Sequence, residues 1–94
     1  MKLIIRAAVR RDLQDIADYI ARDNPETAVG FARQLVNKVN QIAEQPFIFP
    51  IKEELGINLR SALHGHYHII FEIDGDNVII FRILHGARNI PDIL

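Results

Sequence analysis

The stretch that decides the fold is "HYHIIFEIDGDNVIIFRIL", His66 to Leu84. Two runs rich in Ile, Val, Phe and Tyr flank "DGDN", Asp74 to Asn77. Such residues suit a pleated, half-buried surface, and Gly and Asn accept positive φ cheaply. The reading is a β-hairpin, with strands at about His66–Ile73 and Asn77–Leu84. Gly65 allows a second sharp reversal, so a third strand at about Asn58–His64 precedes them.

Alternation along these strands predicts two faces. Leu59, Leu63, Tyr67, Ile69, Phe71, Ile73, Ile79, Phe81 and Ile83 form the rows expected to pack against other elements. The opposite face takes Arg60, Ala62, His64, His66, His68, Ile70, Glu72, Val78, Ile80, Arg82 and Leu84. Its cluster of Ile70, Val78, Ile80 and Leu84 is large for a solvated sheet face and calls for a cover. That cover is either the chain's own Ile90, Ile93 and Leu94 or another polypeptide.

The N-terminal half is helical. "KLIIR", Lys2–Arg6, reads as a short strand. From Ala8 to about Arg22, Val9, Leu13, Ile16, Ala17 and Ile20 recur at spacings of three and four, one face of a helix. Asn24, Pro25 and Glu26 form an N-cap, a first helical residue and an acid suited to the helix dipole. The second helix then runs to about Gln45, with Ala28, Phe31, Ala32, Leu35, Val39 and Ile42 along its stripe, and Pro46 stops it. The expected fold is α+β, in the order β-α-α-β-β-β, with the N-terminal strand and helical hairpin packed on one face of an antiparallel sheet.

Composition narrows the function. Ninety-four residues support one domain, residues 1–94. The absence of cysteine excludes disulfides, thiolate metal sites and a cysteine nucleophile. No run approaches the roughly 20 apolar residues of a membrane span, nor does the N-terminus read as a signal peptide, so the expectation is a cytoplasmic protein. Eleven Lys and Arg against twelve Asp and Glu, a net charge of −1, weigh against direct sequence-specific nucleic-acid binding. "HGHYH", His64–His68, invites a zinc reading, but Gly65 turns the chain and no carboxylate completes the set; no metal and no cofactor are expected.

The segments "RRDLQDIADYIARDNPETAVGFARQL", "IAEQP", "LRSALHGHYHIIFEI" and "VIIFRILHGARN" together resemble the ParE branch of the RelE/ParE toxin superfamily. One departure is that Arg6 and Ala7 stand where that family often has Ser or Thr with Pro, so the first helix lacks its usual cap, at a cost of about 1 kcal/mol. The resemblance implies a plasmid-stabilising toxin in hetero-oligomeric complex with a ParD-like antitoxin. The antitoxin's N-terminal half would bind DNA, and the toxin's target would be DNA gyrase. RelE-like relatives instead cleave messenger RNA on the ribosome.

RNA cleavage through a 2′-hydroxyl needs a base, an acid and cations around the phosphorane. The candidates are Glu53 or Glu54 as base, His85 as acid, and Arg60, Arg82 and Lys52 around the phosphate. The loop "IKEEL" holds one lysine against two acids, however, and the residues favour a non-enzymatic, protein-binding toxin. On that reading Arg60, Arg82, His85 and Arg88 contact the target, while the antitoxin covers Ile70, Val78, Ile80 and Leu84. An inactive homologue serving only as antitoxin co-repressor is the third reading. The simplest alternative for Arg82 is a cross-strand pair with Glu72, and for His85 a cap on a carbonyl at the strand end.

Overall fold

The computed structural model describes residues 1–87 and 90–94. Its elements are β1 (Lys2–Ile5), α1 (Ala7–Ala21), α2 (Pro25–Glu44), a 3-10 turn (Pro46–Ile48), β2 (Arg60–His64), β3 (Tyr67–Asp74), β4 (Asn77–His85) and α3 (Ile90–Ile93). The order of strands and of the two long helices is the one read from the sequence, while the 3-10 turn and α3 were not expected. β1, however, lies within the sheet rather than over it. It pairs parallel to β4, so the four-stranded sheet is mixed and runs β1-β4-β3-β2.

Local signals act where expected. The Asn24 side chain accepts the Thr27 N–H at 3.1 Å, Pro25 opens α2 and Glu26 sits in its first turn. Arg6, the N-cap of α1, makes no side-chain capping bond. Gly65 (φ 58°) and Gly75 (φ 57°) take the left-handed conformation in the two hairpin turns.

Two registers reverse part of the expected alternation. The β2–β3 turn holds two residues, Gly65 and His66, so His64 pairs with Tyr67 and Ala62 with Ile69. Cross-strand partners share a face, and a one-residue shift exchanges faces throughout a strand. Ala62 therefore enters the helix-side core, while Leu63, expected inside, is 59% exposed. Leu59 packs on the reverse side.

The second reversal is a β-bulge. Ile70 pairs with Arg82 but Phe71 with Ile80, leaving Phe81 as the extra residue of β4. Val78 and Ile80 consequently join the helix-side core, and Phe81 packs with the reverse-side cluster instead. The helix-side core gathers Val9 and Ile16 of α1, Leu35, Val39 and Ile42 of α2, and Ile69, Phe71, Val78, Ile80 and Ile83 of the sheet. Phe49, from the loop after α2, meets Phe71 edge to face at 5.9 Å.

The sheet's reverse is covered by the chain itself. Ile70 and Leu84 are buried there with Leu59, against Ile90 and Ile93 of α3 and Leu55 of the preceding loop. The expectation that Ile70, Val78, Ile80 and Leu84 form an exposed surface for an antitoxin is thus corrected. Two lie under the helices because of the bulge, two lie under the tail, and each is at most 1% exposed. No helix among the described residues is long and apolar enough to cross a membrane.

Candidate functional site

β4 outlasts its partner β1. The pairing ends at Ile5 opposite Ile80, with one further bond from the Arg6 N–H to the Ile80 carbonyl. Beyond that point α1 lies along the open edge of β4 and supplies a side chain in place of a strand. Asp12 Oδ2 accepts the Ile83 N–H at 2.9 Å and Arg82 Nε at 2.8 Å, while Oδ1 accepts Arg82 Nη2 at 2.8 Å. Asp12 is only 7% exposed. A buried carboxylate persists when its lone pairs are filled by charged and backbone donors, as here. Donating these hydrogen bonds to Asp12 raises the pKa of the Arg82 guanidinium.

Arg82 therefore does not pair with Glu72 across the hairpin. Residue 82 stands opposite Ile70, and Glu72 opposite Ile79. The sequence carried a signal for Asp12 that periodicity alone passed over. It sits at the spacing of Val9 and Ile16, an acid on the apolar stripe, and such a residue needs a donor.

The strand exit is a second network. His85 Nδ1 accepts the Ala87 N–H at 3.0 Å, so the ring caps an amide at the strand end rather than the carbonyl expected of it. Its ring stands edge-on to Tyr67 at 5.2 Å and 5.8 Å from His66. Burial, then the neighbouring Tyr19, raise the Tyr67 phenol above its ordinary pKa. The Gly86 N–H donates to the His66 carbonyl at 2.7 Å. A Cβ on residue 86 would stand 3.2 Å from His68 Nε2 and 3.3 Å from the His66 oxygen, so close approach explains this glycine. Gly86→Ala is expected to cost about 1 kcal/mol by overpacking, measured by thermal unfolding. Unchanged stability would mean that the His68 ring yields freely.

His68 Nδ1 lies 2.7 Å from the buried Ser61 hydroxyl. Burial, then nearby Lys52, lower its pKa from the ordinary 6.5, with Glu54 opposing. The unfolded chain thus takes up this proton at higher pH than the folded one. Stability from His68 is complete above pH 6.5 and is lost as pH falls through the lowered value. His68→Gln should flatten the slope of melting temperature against pH below 6.5. An identical slope in the variant would show that other groups carry it.

The remaining candidates do not converge. Arg60 Nη1 donates to the Phe49 carbonyl at 2.6 Å, and its guanidinium lies 5.4 Å from the Phe47 ring. Glu53, Glu54 and Lys52 are exposed in the loop before β2. His64 contacts Gln34 at 2.9 Å, so the three imidazoles of "HGHYH" take separate surroundings. Among the described residues, no group of three His, Cys, Asp or Glu is placed to hold a metal ion. Arg88 lies outside the described residues.

Two cavities flank the Asp12–Arg82 pair. One, about 690 Å³, lies between α1 and the strand ends and includes Tyr19, Ile20, Phe31, Tyr67 and His85 among its walls. The other, about 660 Å³, lies between the start of α1, the β4 bulge and the tail.

Residues 3–90 match the family model described as the ParE toxin of the type II toxin-antitoxin system parDE. The chain belongs to the ParE toxin family. It is 35% identical over 81 residues to Toxin ParE1 of Caulobacter vibrioides, covering 85% of this chain and 83% of that protein. The same fold occurs in the chromosomal ParDE toxin-antitoxin system of P. aeruginosa, with a TM-score of 0.79 at 20% identity over 90% of this chain and 95% of that one. A more distant likeness is to the RelBE2 toxin-antitoxin complex of Mycobacterium tuberculosis, with a TM-score of 0.55 at 25% identity over 89% and 95%. In this ParE-family chain the bulged β4 and its Asp12 clamp therefore belong to a toxin scaffold.

Proposed function

We propose that this toxin acts by binding DNA gyrase in the cytoplasm, and that a ParD-like antitoxin silences it by direct contact, a pairing that would serve plasmid stabilisation. The observation that carries the non-enzymatic reading is how the cationic and imidazole groups are engaged. Arg82 is tied to Asp12, Arg60 to the Phe49 carbonyl and His85 to the Ala87 amide. General acid-base cleavage of RNA requires such groups within reach of one phosphate, and these are held by separate local partners. That weighs against the RelE-like alternative.

On this reading Arg60, Arg82, His85 and Arg88 are the polar contacts to gyrase, Arg88 on its sequence position alone. The antitoxin engages the groove between α1 and the strand ends, where Tyr19 is 64% exposed beside Ile20 and Phe31. A flexible segment that folds on binding covers such a groove and stays open to proteolysis.

A supercoiling assay with purified chain is expected to show inhibition of gyrase or trapped cleaved DNA, relieved by antitoxin. Unaffected supercoiling at large molar excess would remove the gyrase target. Primer extension on messages from intoxicated cells is expected to show no codon-linked cuts; clear cuts would establish the ribonuclease. Harmless expression without antitoxin would favour the co-repressor.

A further inference from the structure

The 690 Å³ cavity between α1 and the strand ends is walled by aromatic rings that form one connected series. The Phe31 and Tyr67 centroids stand 5.6 Å apart, those of Tyr67 and His85 5.2 Å, and those of His85 and His66 5.8 Å. Tyr19 joins them from α1 and is 64% exposed. Among the described residues that line this cavity there is no lysine or arginine, but there are two carboxylates, Asp12 and Asp15. The charge of Asp12 is balanced by Arg82. Asp15 is exposed and has no hydrogen bond or ion pair among the described residues, so its charge is left uncompensated. His85 Nδ1 accepts the Ala87 N–H, so that nitrogen carries no proton and the ring adds no positive charge. Elsewhere the chain's own cations sit on its rings. Arg6 lies 4.8 Å from the Phe81 centroid, Arg60 5.4 Å from Phe47 and Lys38 5.7 Å from Phe49. Among the described residues, Tyr19, Phe31 and Tyr67 hold no such cation.

We propose that this cavity binds a small organic cation, an amidinium, guanidinium or ammonium group carried on an apolar body. The cation would lie among Tyr19, Phe31 and Tyr67 with Asp15 as its counter-charge, and the apolar body would rest against Ile20. Aromatic rings attract cations most strongly where water is excluded, and a nearby carboxylate adds a charge-assisted hydrogen bond. A volume of this size suits a ligand of ordinary small-molecule dimensions. An anion would meet Asp15 and the negative faces of the rings, and a neutral ligand would gain the apolar contact alone. The inference concerns the free chain and does not rest on the antitoxin assigned above to the same groove. An antitoxin seated there would exclude the cation.

The test is an amide NMR titration of the full chain with benzamidine at about pH 8, where an ordinary imidazole is uncharged. The parallel arms are benzamide, which keeps the shape without the charge, benzoate, which reverses the charge, and blocked arginine. Benzamidine is expected to shift the amides of Asp15, Tyr19, Gly65 and Tyr67 at millimolar ligand, with benzamide about tenfold weaker and benzoate weaker still. Tyr19→Ala and Asp15→Asn, both at exposed positions, are each expected to lose about fivefold in affinity for benzamidine. Asp18→Asn alters an exposed acid of the same helix that accepts from Gln14 and stands outside the cavity wall, and it should bind as the unaltered chain does. Should a variant fail to fold, the ligand arms on the unaltered chain decide the matter. Equal binding of benzamide or benzoate, shifts at other amides, an Asp15→Asn loss no larger than that of Asp18→Asn, or no response at millimolar benzamidine would each overturn the proposal. Blocked arginine binding more tightly than benzamidine would overturn the small-molecule occupant and give the cavity to a protein side chain. The gyrase assay is independent of every one of these outcomes.

Discussion

Replacing Asp12 with alanine is expected to destabilise the chain by about 2–4 kcal/mol, which for a chain of this size lowers the melting temperature by roughly 10–25 °C. The carboxylate is nearly buried and serves three donors at once, two on Arg82 and the Ile83 amide. Its removal leaves a backbone N–H and a guanidinium without an acceptor at the one part of β4 that α1 covers in place of a strand. Arg82 is about a quarter exposed, so water recovers some of its loss and the estimate stays below that for a fully buried ion pair. Arg82→Ala should cost less, because the Asp12 carboxylate keeps the Ile83 N–H. The double variant should fall well short of the sum of the two, as coupled neighbours do. Strict additivity would show the pair to be incidental, and so would a melting shift under about 3 °C for Asp12→Ala.

Truncating Ile80 to alanine is the second large effect, expected at about 2–5 kcal/mol for deleting a core side chain. Ile80 is fully buried against α1 and α2, whereas the neighbouring Ile79 is partly exposed. Ile79→Ala should therefore cost distinctly less, about 1–2 kcal/mol on the scale of partial burial. Urea unfolding of the two variants checks the ranking. Strict alternation without the bulge makes the opposite prediction, since it turns Ile79 inward and Ile80 outward. A larger loss at Ile79 would place the extra residue of β4 elsewhere. With total stabilities of chains this size near 5–14 kcal/mol, either large effect is a sizeable share of the whole.

The candidate site was legible only in pieces. His85 was read as a target contact or a cap on a carbonyl, whereas it accepts the Ala87 amide, and the close approach of His68 to residue 86 gives Gly86 its reason. The antitoxin surface failed for a definite cause. Ile70 and Leu84 were assigned to the reverse face correctly, and of the two covers weighed for that face it is the chain's own Ile90 and Ile93, joined by Leu55, that lies on it. The partner of Arg82 was misjudged because proximity along a hairpin suggested Glu72, while the acceptor came from α1, 70 residues away in sequence.

The amino-acid order by itself determined the elements and their succession. Spacing of apolar residues, the Asn24 cap, the Pro46 stop and the glycine turns act over a few residues and need no distant partner. Tertiary structure alone decided which side of the sheet each residue of β2 and the first half of β4 occupies. A two-residue turn and one bulged residue change the count between strands, and a period of two turns any such change into an exchange of faces. It also decided that Asp12 completes the edge of β4, because a buried carboxylate finds its donors only when the helix has closed on the strand.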